Sequence, residues 1–399
     1  TPIITRVALC VIIFFGCCTY IVNLSLNGSK GNFIMKKTFL KRITAVAAAA
    51  FIAVATAGCG AKDSADNSEY VLKVGETQGA LCHAPLQVAM EKGYLDEEGI
   101  KWERVDFGGG DIQAALGAGS IDCGFGLVGK FVQPIENGLN MVITSGMHTG
   151  CTKILVSKDS GINSIADLKG KTIGVSSLAG SEAVTAKRAL HSEGIDVSTG
   201  SDEVTFAVYN VTDQPVALIN GAVDAIATPD PVATNAVNEY DLVTLLDTAV
   251  TEPYADEYCC VSFVSKELAE NHPDIAAAYT RAVLKASAWV AENPEEAAKI
   301  QIEGKYVSGD AAANAEVLKG YKFIPSVQGG YDALLNVSTD LHDIGILKAD
   351  TDVNAMVERS FKFFDDVPDS YTVNGDRFDA VLEKKITVDG SDGIADCCS

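Results

Sequence analysis

Residues 115–122, "ALGAGSID", and residues 217–224, "ALINGAVD", place Ala, Leu, Gly, a β-branched residue and Asp at the same offsets. Each reads as a helix ending at a glycine cap and turning into a short buried strand. Glu-Gly-Ile lies upstream of both, at 98–100 and at 193–195, closing an earlier helix before another strand. Before that stand "LKVGETQGALCHAPLQVAMEKG" (72–93) and "KTIGVSSLAGSEAVTAKRAL" (171–190), each a strand, a polar loop and a helix. The matched order predicts two equivalent lobes with the pattern β-α-β-α-β and a mainly parallel sheet in each.

From Lys266 onward the pattern turns helical. "ELAENHPDIAAAYTRAVLKASAWVAENPEEAAKI" has helical periodicity, with a break and restart at Asn293-Pro294. Further helices are expected over Val317–Tyr321, Gly330–Ile344 and Val353–Phe364, and the last thirty or so residues read as a loosely attached tail. Two segments, 145–159 and 258–266, read as hinge strands between the lobes. The expected division is 70–152 plus 259–399 for lobe 1 and 153–258 for lobe 2.

The front of the chain speaks to location. "MKKTFLKRITAVAAAAFIAVATAGCG" begins at Met35: four basic residues, an Ala-rich apolar run, then Thr56-Ala57-Gly58-Cys59. That order describes an export signal rather than a spanning helix, and its end resembles a bacterial lipobox. Residues 35–58 are therefore expected to be a lipoprotein signal peptide, Cys59 the lipid-attachment site, and 59–69 a flexible tether. Residues 1–34 are read as sequence upstream of the true start. The alternative is an anchor, with the apolar run Val7–Val22 as a membrane helix.

Without residues 1–58 the chain loses six of its 31 Lys and Arg and none of its 53 Asp and Glu, so the formal net charge falls from −22 to −28. That balance disfavours nucleic acid as a partner. Of eleven cysteines, seven follow Cys59; their odd number and irregular spacing do not describe a disulfide framework, and no C-x-x-C pair is present.

In α/β sheets ligands sit beyond the carboxyl ends of the strands. Four loops there stand out: 77–83 with Gln78, Cys82 and His83; 108–111, where Asp111 suits a helix N-cap; 176–181 with Ser177, Gly180 and Ser181; and Asp213-Gln214. Leu127, Asp230 and the hinge residues His148 and Thr149 complete the expected ligand site. Cys82, His83, His148, Cys151 and Cys259 invite a soft-metal reading, but their separations match no local ligand motif. A Cys151–His148 nucleophile pair lacks a third, orienting residue. No catalytic residue, metal or cofactor is expected.

"MEKGYLDEEGIKWERVDFGGG" (90–110), "AALGAGSIDCGFG" (114–126), "VSKDSGINSIADLKGKTIGV" (156–175) and "ALINGAVDAIATPDPVA" (217–233) resemble the substrate-binding proteins of ABC importers of the nitrate, sulfonate, taurine and bicarbonate class. Asp230-Pro231 falls where that family places an Asp-Pro pair beside the cleft; Val232 stands where many members have an aromatic residue. The resemblance implies a type II periplasmic-binding-protein fold: an α/β protein of two lobes joined by two hinge strands, with C-terminal helices packing on lobe 1. It implies a non-enzymatic monomer, held outside the cytoplasm by its lipid, that captures a small solute and hands it to an ABC permease and its ATPase. A thiamine-precursor solute belongs to the same range. The fungal thiamine-pyrimidine synthases resemble this family too, so an enzyme on the same fold is the alternative, with a ligand-binding sensor as a third reading.

Overall fold

The computed structural model describes residues 9–15, 18–24, 70–106, 111–372 and 377–378. The signal segment, Cys59, the tether, Gly108–Gly110 and the tail beyond 378 lie outside the described residues. Residues 1–64 and 65–399 form separate units.

In the first unit, β1 (Leu9–Phe15) and β2 (Cys18–Leu24) pair antiparallel, Leu9 opposite Leu24 and Phe15 opposite Cys18. The described residues of the run expected as a candidate membrane helix, 9–15 and 18–22, are thus extended backbone, in keeping with their Val, Ile, Phe and Tyr content. No helix among the described residues is long and apolar enough to cross a membrane.

The second unit continues with β3 (Val71–Glu76), β4 (Lys101–Asp106), β5 (Cys123–Leu127) and β6 (Met141–Thr149). Then come β7 (Thr152–Val156), β8 (Thr172–Val175), β9 (Thr205–Val208), β10 (Ala225–Pro229) and β11 (Val243–Asp247). Last of the long strands is β12 (Tyr258–Ser265). They make two five-stranded sheets, ordered β4-β3-β5-β12-β6 and β11-β7-β10-β8-β9.

Both sheets are mixed but mainly parallel, as expected: in each, four strands run the same way and one is reversed. In the first, β3 runs parallel to β4 and β5, while β12 is antiparallel to β5 and β6. In the second, β8 runs parallel to β9 and β10, while β7 is antiparallel to β10 and β11. The cause is the crossovers: the chain leaves one sheet through β6 into β7 and returns from β11 into β12, and β7 and β12 alone enter with reversed direction. The lobes are otherwise built alike, as the repeated sequence unit requires. Gly99 and Gly194 have φ of 75° and 76°, and Ile100 and Ile195 each donate back to a helix carbonyl at 3.1 Å. Asp122 accepts from the backbone N–H of Lys73 at 2.9 Å, and Asp224 from that of Thr172 at 2.8 Å, so each repeated aspartate fastens the start of the neighbouring strand.

The lobe 1 core gathers Leu72, Val74, Phe125, Phe131 and Phe263, all fully buried. The helix Pro273–Glu292 packs on it and on Ala84–Glu91, and Tyr279 donates its hydroxyl to the carbonyl of Gly124 at 2.8 Å. Ile154, Val156, Ile173, Val175 and Leu190 fill lobe 2, joined by Ile344 from the C-terminal helices.

Those helices differ in extent from the expectation. The first is Ala311–Lys319, because Asp310 caps it by accepting from Ala313 N. Ser326 caps Val327–Asp343 through Gly329 N in the same way. Val353–Ser360 stops short because Phe361 bridges to Ile143 on the edge of the lobe 1 sheet. The restart at Asn293-Pro294 is observed, and His272-Pro273 makes another break.

Candidate functional site

The lobes meet where the chain crosses twice between the sheets. Thr248 joins the two crossovers: its hydroxyl accepts from the N–H groups of Cys151 (3.1 Å) and Thr152 (3.0 Å) and donates to the carbonyl of Thr152 (3.0 Å). Gly150, at φ 71°, lies so close to the second crossover that a Cβ would sit 2.4 Å from Cα of Ala249. A side chain there would force the hinge segments apart.

Beside the crossovers lies a cavity of about 30 Å³. Lobe 1 contributes Leu127 and Gly129, lobe 2 Ser181 and Arg188, and the hinges Thr152, Glu257 and Cys259. That space holds about two waters, so a solute of several heavy atoms enters only as the lobes part. Across it, the backbone N–H of Lys130 donates to Ser181 Oγ at 3.0 Å. Gly129 presses on the same helix; a Cβ there would lie 3.1 Å from Val184 and 3.2 Å from Ser181 Oγ.

Arg188 completes this wall. It holds Glu257 through both oxygens at 2.5 and 2.8 Å, and its Nε reaches Asp340 of the C-terminal helices at 2.6 Å. Burial alone would lower its pKa, but the two carboxylates hold it above its ordinary value. Such a buried pair specifies geometry more than it adds stability. Nothing local in "AKRALHSEG" distinguishes Arg188 from a surface residue. Its partners lie 69 and 152 positions away, which is why sequence reasoning missed it, together with Thr152, Thr248 and Glu257.

A second groove, about 480 Å³, opens on the other side of the crossovers between Lys153, Asp230 and Asn235 on one wall and Ala313, Val317 and Tyr321 on the other. Lys153 is committed to Asp230 at 2.7 Å and Asp247 at 3.3 Å. Burial opposes its charge, yet those carboxylates raise its pKa. Lys130 has no ion-pair partner among the described residues, and burial pulls its pKa down against the opposing field of Glu182.

The expected site residues fall into several places. Leu127 and Ser181 line the small cavity and Asp230 the groove. Gly180 precedes the helix Ser181–Ser192 as its N-cap, next to Glu182, whose carboxylate accepts from Ser176 Oγ at 2.9 Å. Gln78, Ser177 and Asp213 are exposed, and Asp213 accepts from Asn210 at 3.2 Å. Asp111 caps its helix as expected, accepting from Gln113 N at 2.9 Å. His83 turns into lobe 1: its ring meets the edge of Phe125 and its Nδ1 lies 3.9 Å from the buried Glu76. Thr149 is buried at the end of β6, with its hydroxyl unpartnered.

Cys82 and His148 meet elsewhere. With Cys260 they place three ligand atoms within 4.8 Å of one another, and Cys151, Cys259 and Cys260 form a second such group. Cys151 Sγ and Cys259 Sγ are 3.2 Å apart, and Cys259 Sγ is 3.6 Å from Nδ1 of His148. Residues widely separated in sequence thus converge under the hinge.

Known proteins extend this description. A curated relative, the "putative aliphatic sulfonates-binding protein" of Bacillus subtilis, is 28% identical over 257 residues, 61% of this chain and 73% of its own. A "4-amino-5-hydroxymethyl-2-methylpyrimidine phosphate synthase" of Legionella pneumophila is 24% identical over 231 residues, covering 56% and 70%. Among solved structures, the aliphatic sulphonate-binding protein SsuA of Escherichia coli superposes with TM-score 0.59 at 17% identity, over 77% of this chain and 95% of that one. The nitrate-binding protein NrtA of Synechocystis PCC 6803 gives 0.60 at 17%, over 73% and 86%. At that identity the likeness carries the fold: two lobes of the periplasmic-binding-protein type. The sequence profile described as NMT1/THI5 like matches residues 81–297, more than half of the chain, and the chain belongs to the NMT1/THI5-like family.

Proposed function

We propose that this chain is an extracytoplasmic solute-binding lipoprotein that closes its two lobes on a small solute and delivers it to an ABC permease and its ATPase. The observation that carries the reading is the pair of adjacent crossovers with a cleft beside them, bridged by Lys130–Ser181 and Arg188–Asp340. Two lobes on a double hinge close around a ligand. The binding-protein names of relatives support the class of activity. In this reading the lobes divide at 152/153 and 258/259, the protein works as a monomer, and lipid on Cys59 holds it at the membrane.

The cleft favours a solute carrying at most one negative charge. Lys153 is neutralised by two aspartates, and Lys130 is opposed by Glu182. Gln78, Leu127, Thr149, Ser177, Gly180, Ser181, Asp213 and Asp230 are proposed to surround the solute once the lobes have opened and reclosed. Nitrate, bicarbonate, small sulfonates such as taurine, and thiamine-precursor pyrimidines are the candidate classes. A pyrimidine-synthase-like enzyme is a second reading, favoured by the names of relatives from Legionella pneumophila and Aspergillus parasiticus.

A thermal-shift screen of these solutes tests both. A ligand bound by the native state alone raises the unfolding midpoint in proportion to the logarithm of its concentration above Kd. A shift without chemical change in the solute supports the binding protein; conversion of a bound precursor to a pyrimidine product would establish the enzyme instead.

A further inference from the structure

We propose that Cys82, His148 and Cys260 form a site for a soft, closed-shell metal ion, Cu⁺ in a three-donor set, beneath the hinge. It departs from the expectation of no metal and is independent of which solute the cleft takes. Cys82 comes from the turn after β3, His148 from β6 and Cys260 from β12. Their ligand atoms lie within 4.8 Å of one another, and all three side chains are buried.

The imidazole carries the argument. Nδ1 of His148 lies 3.1 Å from the carbonyl oxygen of Thr149. A carbonyl only accepts, so Nδ1 holds the proton and Nε2 presents a lone pair. That Nε2 is fully buried and has no partner. A buried acceptor left unpaired is destabilising, and a bound ion would relieve that. A ring nitrogen held by a carbonyl, which leaves the other with a free lone pair, is the arrangement by which proteins prepare a histidine for a metal.

The donors select the ion. Two thiolates and an imidazole are soft and suit Cu⁺ or Zn²⁺ better than oxygen-seeking cations. Three donors meeting at one point satisfy trigonal Cu⁺. Zn²⁺ favours four and would have to draw the fourth from Cys151 or Cys259. Phe125, Tyr321 and Phe323, with ring centroids 6.4, 5.1 and 5.0 Å from that of His148, shield the site from water. Binding releases two thiol protons. The resulting site carries one net negative charge, and the ammonium of Lys130 lies within the electrostatic reach of Cys82 and Cys260 to offset it.

The test uses the full chain, reduced with a phosphine under anaerobic conditions. It is equilibrated with one equivalent of Cu⁺ or Zn²⁺ in the presence of a competing chelator, then desalted. The expected result is one Cu⁺ retained per chain, with X-ray absorption reading two sulfur ligands and one nitrogen. Cys82→Ser, Cys260→Ser and His148→Gln should each lower retention at least about tenfold. Cys123→Ser, a buried thiol outside the cluster, should leave it unchanged. Should a variant fail to fold, the ligand count in the unaltered protein still decides. Failure of the reduced protein to retain Cu⁺, or undiminished retention in folded Cys82→Ser and Cys260→Ser proteins, overturns the site. Retention of Zn²⁺ but not Cu⁺ overturns the three-donor assignment.

Discussion

Ser181 Oγ of lobe 2 accepts a 3.0 Å hydrogen bond from the backbone N–H of Lys130 in lobe 1. Each partner opens a helix, Ser181–Ser192 and Gly129–Glu136, so the bond joins two helix N-termini face to face. Gly129 makes the approach possible, since a Cβ there would lie within 3.2 Å of both Val184 and Ser181. The closed arrangement therefore depends on small residues on both walls.

Replacing Ser177 and Ser181 together by Leu should weaken solute binding at least about tenfold, which is 1.4 kcal/mol. Bulk at Ser181 meets Gly129 and the backbone of Lys130, and overpacking of this kind costs about 1–3 kcal/mol. The cost falls on closure, because the Lys130 contact lies between lobes rather than within one. Small-angle scattering should show a more open particle with a preserved far-ultraviolet circular dichroism spectrum. A double variant that keeps full affinity places the solute elsewhere.

Asp122→Ala and Asp224→Ala should destabilise the fold by comparable amounts, about 1–3 kcal/mol, since each leaves a strand-opening N–H without its acceptor. Urea unfolding would measure both as a lower midpoint. Loss at one position with none at the other would show that the two aspartates are not equivalent.

These aspartates also show why the fold was legible in the sequence. Helix, glycine cap, strand and aspartate lie within about ten residues of each other, and the same local physics repeats in both lobes. Strand direction in the hinge is another matter: nothing near β7 or β12 says that they run against the rest of their sheets. Asp310 illustrates a smaller miss, a cap that starts a helix ahead of its apolar residues. The site was read only in part for a related reason. Arg188 draws its meaning from Glu257 and Asp340, and His148 from Cys82 and Cys260, all partners that only the folded chain brings near.

In cells that export it, the mature protein should begin at a lipid-modified Cys59. Mass spectrometry of detergent-extracted protein should yield a diacylglyceryl-cysteine peptide running into Gly60-Ala61-Lys62 and none from residues 1–58. Peptides from 7–26 in the mature protein would sink the lipoprotein reading.

Thr248→Val should be the most damaging small change at the hinge. Valine keeps the shape but removes the oxygen that accepts from Cys151 and Thr152 and the proton given to the carbonyl of Thr152. Two buried N–H groups then lose their acceptor, for about 2–4 kcal/mol in all. Thr248→Ser keeps the hydroxyl and loses one methyl group, about 1 kcal/mol. Urea unfolding of the pair separates hydroxyl from packing, provided the slope of the transition stays constant. Because the bonds tie the first crossover to the second, the valine variant should also lose solute affinity while each lobe keeps its own core. Equal stability of the two variants would mean that the hydroxyl does not hold the crossovers together, and the hinge would then rest on the backbone bond from Thr248 N–H to the carbonyl of Thr152 and on the close approach of Gly150 to Ala249.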